Sequence, residues 1–204
     1  AGALASNHRV GVYDWDPAFD DGSRISDVSK FEVISQSDLV RFLWDRRGDA
    51  NASAFLSLPV ADALLSAKRK KNAPEDVRRI VAGEPKAIDA FARMHFERVS
   101  ALGVCDATGA LVANVSASDL RGLTPERLDS LASDVRDFLE DARGAGERER
   151  PATCLATETV RDVVERMVAR RVHHVYVCDA ERRPVAMITP NDVLGVLADV
   201  LVEG

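Results

Sequence analysis

Three stretches of the chain repeat one order of apolar and polar positions. In each, a short β-branched run ends in Asp, a second apolar run follows, and the segment closes on a hydroxyl residue, two residues, Asp and an apolar residue. The first runs from Asn7 through HRVGVYD, is interrupted, and resumes as FEVISQSDLVRFL to Trp44. The second is ERVSALGVCDATGALVANVSASDLRGL, Glu97 to Leu123, and the third is VHHVYVCDAERRPVAMITPNDVLGVL, Val172 to Leu197. Alternating β-branched runs predict strands, and the Asp that ends each first run (Asp14, Asp106, Asp179) starts a turn. In the second copy Gly109 supplies the positive φ that closes a short hairpin. The closing element (Ser35 to Asp38, Ser116 to Asp119, Thr189 to Asp192) places a hydroxyl just before a helix and a carboxylate in its first turn.

Apolar spacing of 3 and 4 predicts amphipathic helices ahead of the last two copies, at Pro85 to Phe96 and Thr159 to Val172. Leading strands are expected at Arg79 to Ala82 and Ala152 to Ala156. A complete unit therefore reads strand, helix, strand, strand, helix. The first copy starts at its second strand and the chain opens without Met, so an N-terminal portion is expected to be missing. Leu58 to Leu65 reads as a short helix and Asn72 to Asp76 as a polar linker. Pro125 to Ala142, with Thr124 as N-cap and Leu128, Leu131, Val135, Phe138 and Leu139 on one face, reads as one longer helix, followed by a charged linker from Gly144 to Arg150. The partition is residues 1–47 for a partial unit with an inserted loop at 15–30, 48–123 for a unit with its N-terminal linker, 124–150 for a helix and linker, and 151–204 for the last unit.

At 204 residues, 46% hydrophobic and 29% charged, the chain can bury a sizeable core as one compact body or two small domains. No apolar run approaches the roughly 20 residues that span a bilayer, so no membrane association is expected. The net charge of −6 argues against nucleic acid as a partner. The dense basic run at Lys68, Arg69, Lys70 and Lys71 reads as a solvated helix end or loop, with a phosphate or partner contact as the alternative. Cys105, Cys154 and Cys178 show no metal-ligand spacing and are expected to be reduced, buried thiols of an intracellular protein, cytoplasmic or nuclear, with organelle targeting left open by the missing N-terminus.

The strand, Asp turn, strand and S/T-x-x-D helix start, present three times, resemble cystathionine-β-synthase (CBS) domains over most of the chain. ISQSDLVRFL, ERVSALGVCD, NVSASDLRGL and TVRDVVERMVARRVHHVYVCD are similar to the γ regulatory subunit of AMP-activated protein kinase and its yeast and plant relatives. The resemblance implies an α/β fold of repeated βαββα units, with the last two forming a Bateman-type pair and a partial unit before them.

It also implies clefts between facing units that accept a nucleoside. Asp38, Asp119 and Asp192 are the candidates for accepting ribose hydroxyls, and Ser35, Ser116 and Thr189 for ribose or phosphate beside a helix N-terminus. Basic residues before the second strand serve phosphate in the family. Here they are His8 and Arg9, Arg98, and His173 with His174. Two departures weaken that set: Glu97 precedes Arg98, and His174 stands where Arg is usual, with Arg170 and Arg171 next door. Val99, Ser100 and Ala101, and Val175 with Tyr176, match positions that wall the adenine. Gly103 stands where Pro is common, and Asn114 is bulky enough to narrow its cleft or add a polar contact. The plain alternative is that the hydroxyl–Asp pairs only cap helices and the strand residues only pack.

These features imply a regulatory protein that binds AMP, ADP or ATP, with the catalytic and scaffold subunits of a Ser/Thr kinase as partners. The alternative is a CBS scaffold or homodimerisation module with degenerate clefts. An enzyme is not expected: GxxxxGK[ST], GxSxG and HExxH are absent, and no catalytic residue, catalytic cofactor or metal site is assigned.

Overall fold

The computed structural model describes residues 9–13, 31–65, 79–81, 86–121, 123–143 and 150–203. His8, Asp14, the inserted loop at 15–30, the basic run at 68–71, the linker at 72–76 and residues 144–149 lie outside the described residues.

In the first unit β1 (Arg9–Tyr13) pairs antiparallel with β2 (Phe31–Ser35), and helices α1 (Gln36–Asp45) and α2 (Ala50–Leu56) follow. In the second, β3 (Arg79–Val81), α3 (Ala87–Glu97), β4 (Ala101–Cys105) and β5 (Leu111–Ser116) form a three-stranded sheet. Its middle strand β4 runs parallel to β3 and antiparallel to β5. Helix α4 (Val135–Arg143) precedes the third unit, where β6 (Thr153–Leu155), α5 (Val160–Ala169), β7 (Val175–Cys178), β8 (Pro184–Ile188) and α6 (Pro190–Glu203) repeat the arrangement. The hairpin turns form as the sequence predicts. Asp106 accepts from the backbone N–H groups of Thr108 and Ala110 while Gly109 takes φ +84°, and in the third unit Arg182 adopts the left-handed conformation at φ +62°.

Packing between units is reciprocal. The segment ahead of the second unit lies on the third: Val60 N–H donates to Glu158 O at 2.8 Å and Val160 N–H to Leu58 O at 2.9 Å. Likewise the segment ahead of the third unit lies on the second, with Ala87 N–H donating to Ser133 O at 2.9 Å. Two cores result. One joins Val40, Phe55, Leu56 and Leu64 to Val160, Val164, Val177 and Val193 of the third unit, and the other joins Ala90, Met94, Leu102 and Val115 to Val135 and Phe138 of α4. Cys105, Leu111, Tyr176 and Cys178 pack where the two three-stranded sheets meet. Backbone and guanidinium bonds stitch that seam, Leu111 N–H to Arg182 O at 2.9 Å and Arg183 Nε to Thr108 O at 3.2 Å.

Two helix expectations are corrected. Pro125 to Ala142 is not one helix: a 3₁₀ stretch, Pro125–Ala132, stops at Ser133, which turns extended, and α4 starts afresh. The break lets Asp134 bridge to Lys86 and lets Val135 and Phe138 enter the second unit's core, so tertiary pairing overrides the continuous helical pattern. Leu58 to Leu65 is likewise not a plain helix, since Pro59 bridges to Thr159 and only a π-type turn, Ala61–Leu65, follows. The leading strands fall at the expected places, the second one residue shorter at each end than predicted, while Ala82 at the end of the first lies outside the described residues.

Candidate functional site

All three predicted hydroxyl–Asp pairs carry the expected bonds, although the second opens only a four-residue 3₁₀ turn, Ala117–Leu120, in place of the expected helix. Ser35 N–H and Oγ donate to Asp38 Oδ2 at 2.9 and 2.7 Å; Ser116 does the same to Asp119 Oδ2 at 2.7 and 3.0 Å, and Thr189 to Asp192 Oδ2 at 2.8 and 2.7 Å. Bonds from Ser35 hold the Asp38 carboxyl below the usual carboxylate range, with Arg41 and Arg9 adding to the effect. Thr159 and Asp162, at the start of α5, form the same reciprocal cap. Capping alone therefore explains these bonds. What sets the three predicted starts apart is their position, each at the end of a unit's last strand.

Two of these starts come together. The N-termini of α1 and α6 meet through Gln36 Nε2, which donates to Asn191 Oδ1 at 3.2 Å, and Ser37 Oγ and His173 Nδ1 share a hydrogen bond of 3.0 Å. Beside this junction is a solvent-open cavity of about 150 Å³, lined by Ser37, Arg41, Met167, Arg171, His173 and Pro190 among others. Its apolar floor and cationic rim suit a ligand with an anionic group. Arg171 lines this cavity, whereas the Arg170 guanidinium turns to the backbone oxygen of Arg150.

The Asp119 start lies elsewhere and is differently occupied. Asp119 Oδ1 accepts from Arg143 Nε at 2.9 Å and from a terminal guanidinium nitrogen at 2.8 Å, and that same nitrogen donates to Asn114 O at 2.9 Å. The Asp119 side chain is 9% exposed. Across the seam, Asn114 Oδ1 accepts from Tyr176 OH at 2.7 Å and lies 3.0 Å from His174 Nε2. Burial depresses the His174 pKa to about 4, with His173 adding to it, so the ring is neutral at physiological pH. His174 thus departs from the expected role of phosphate cation. His173 and His174 are split, one facing α1 and the other facing Asn114.

The remaining predicted residues divide between surface and core. Arg98 is exposed, left-handed at φ 54°, and caps the C-terminus of α3. Glu97, expected to repel phosphate, pairs with Arg93 at 2.6 Å. Ala101 and Val175 are buried strand residues, Val99 packs against the second core, and Ser100 is exposed with its carbonyl accepting from Ala117 N–H at 2.9 Å. Arg9 is exposed on β1, opposite Ser35. Arg143 is the site residue that pattern reading misses, because nothing in a helix-end arginine 24 positions from Asp119 announces the pairing. Among the described residues no group of His, Cys, Asp and Glu is placed to hold a metal ion, and no helix is long and apolar enough to cross a membrane.

Residues 147–199 match the CBS domain family model. The chain carries a CBS domain. That domain spans the third unit and holds His173, His174, Thr189 and Asp192. Protein SDS23 of Candida glabrata is 24% identical over 165 residues, covering 76% of this chain and 30% of the relative. The SNF1-related protein kinase regulatory subunit gamma-like PV42b of Arabidopsis thaliana is 22% identical over 203 residues, covering 88% of this chain and 54% of the relative. The chain spans 30% and 37% of the first two curated relatives it matches. Among solved structures, an uncharacterised conserved protein from Pyrococcus horikoshii superposes with a TM-score of 0.63 at 18% identity, over 93% of this chain and 69% of that one. The CBS domain pair of protein MJ0100, in complex with 5′-methylthioadenosine and S-adenosyl-L-methionine, gives a TM-score of 0.51 at 17% identity, over 71% of this chain and 98% of that one. These likenesses and the repeated units agree on the α/β CBS fold.

Proposed function

We propose that this CBS protein is regulatory and non-catalytic, that it binds AMP, ADP or ATP, and that it serves as the energy-sensing subunit of a Ser/Thr kinase complex. The observation that carries the reading is the α6 start. Asp192 and Thr189 sit at a helix N-terminus inside the matched domain, bonded through Asn191 to Gln36 of the Ser35–Asp38 start, and Pro190 of the same helix start lines the cavity that Arg41, Arg171 and His173 also line. A carboxylate for ribose, a helix N-terminus and cations for phosphate, and an apolar floor are the chemistry a nucleotide requires. The adenosyl ligands of the MJ0100 pair and the kinase-subunit name of the Arabidopsis relative support the ligand class and the partner. A sensor in this sense holds two conformations of unequal affinity for its ligand, so that occupancy shifts the partner's activity. The three cysteines are buried and form no disulfide, which fits an intracellular location.

Thermal unfolding with and without each nucleotide tests the reading. At about 100 times Kd, a bound ligand stabilises by about 2.7 kcal/mol, a clear rise in Tm. Asp192→Ala loses a cap worth about 1 kcal/mol, so the quantity to compare is the ligand-induced shift, which the variant should lack. No shift with any of the three nucleotides in the unaltered protein would instead favour a scaffold or dimerisation module, to which the ion-paired state of Asp119 already lends some weight.

A further inference from the structure

Resting on the nucleotide reading above, we propose that the Asp119 cleft is closed by the chain's own side chains, with Arg143 standing where a ribose would bind and an Asn114–His174–Tyr176 cluster bridging the gap beside it.

Both Asp119 oxygens are engaged. Oδ2 takes the two Ser116 donors and Oδ1 takes two donors of the Arg143 guanidinium. A ribose needs that carboxylate as acceptor for its two hydroxyls, so it competes with a charge-assisted, two-pronged bond that is already formed. Arg143 is further fixed by Asn114 O, two residues before Ser116 on β5. The Asn114 side chain then reaches to the third unit, where Tyr176 OH and His174 Nε2 converge on its Oδ1. Tyr176 is 1% exposed and its ring lies against Gly103 of the facing sheet, filling the seam with side chain. Arg143, Asn114 and Tyr176 all serve the Asp119 side, and ligand enters there only after Arg143 leaves.

Calorimetric titration of ATP and of AMP into the unaltered protein and into Arg143→Ala/Asn114→Ala counts the equivalents bound. The opened variant should bind one equivalent more, and adding Asp119→Ala to it should remove that gain. Arg143→Ala alone, which leaves the Asn114 cluster intact and the fold safe, should show the same gain at lower affinity. Equal stoichiometry in opened and unaltered protein overturns the closure, as does loss of an equivalent when Asp119→Ala is made in the unaltered protein. Binding to the opened variant but not to the unaltered protein supports the closure while refuting the nucleotide reading of the natural chain. Binding to neither overturns both.

Discussion

Tyr176 lies against the backbone of Gly103, where a Cβ would stand 3.2 Å from Tyr176 Cε1 and 2.9 Å from Leu111 Cδ1. Leu111 is fully buried, so neither neighbour has open space to move into. Gly103 is what lets the two sheets approach around a tyrosine. Gly103→Ala should therefore cost about 1–3 kcal/mol by overpacking, read as a lower urea midpoint at unchanged slope. A variant as stable as the parent would show that the seam can yield.

The Tyr176 hydroxyl is a second test of the same seam. Tyr176→Phe keeps the ring and removes one of the two groups converging on Asn114 Oδ1, so it should cost about 1 kcal/mol. Asn114→Leu should cost more, about 1–3 kcal/mol, because it strands the hydroxyl and the His174 nitrogen together. If the two variants proved equal in chemical denaturation, the Asn114 bridge would not be the joint described.

His174 ties stability to pH. Its folded pKa lies at about 4 against an ordinary 6.5, so the unfolded chain takes up a proton first as pH falls. The associated stability is complete above about pH 6.5 and is lost between there and about pH 4, by about 3 kcal/mol in all. His174→Gln can still donate to Asn114 but does not titrate. The difference in unfolding free energy between parent and variant should narrow by that amount across the window. A constant difference would mean that the ring is not held neutral.

The cysteines should be slow to react. Burial pushes the Cys154 thiol up to about 12 and the Cys178 thiol up to about 11, and Cys105 is fully buried. At pH 8 an aromatic disulfide reagent should titrate all three only after denaturation. Rapid reaction of the native protein would contradict the packing at Cys105, Tyr176 and Cys178.

The repeated pattern made the units legible because strand alternation, Asp turns and hydroxyl–Asp caps are all local physics. Ser116 and Asp119 could be paired from spacing alone, and the structure bonds them as expected. What spacing could not show is which units exchange their leading segments. Ser133 stops a good helical pattern only because Ala87 needs its carbonyl, 46 residues away along the chain. Nor could it show that His173 and His174, just ahead of β7, face different neighbours, since the facing elements are long-range. Arg143 was invisible for the same reason: its partner is set by how α4 lies on the second unit.

Isothermal titration of AMP, ADP and ATP into the protein and into Asp192→Ala decides whether the α6 start binds a nucleotide. Saturable binding of at least one of the three to the parent is expected, with its loss or strong weakening in the variant. Saturable binding that is unchanged in Asp192→Ala, or no binding by a folded parent, would contradict nucleotide binding at that start.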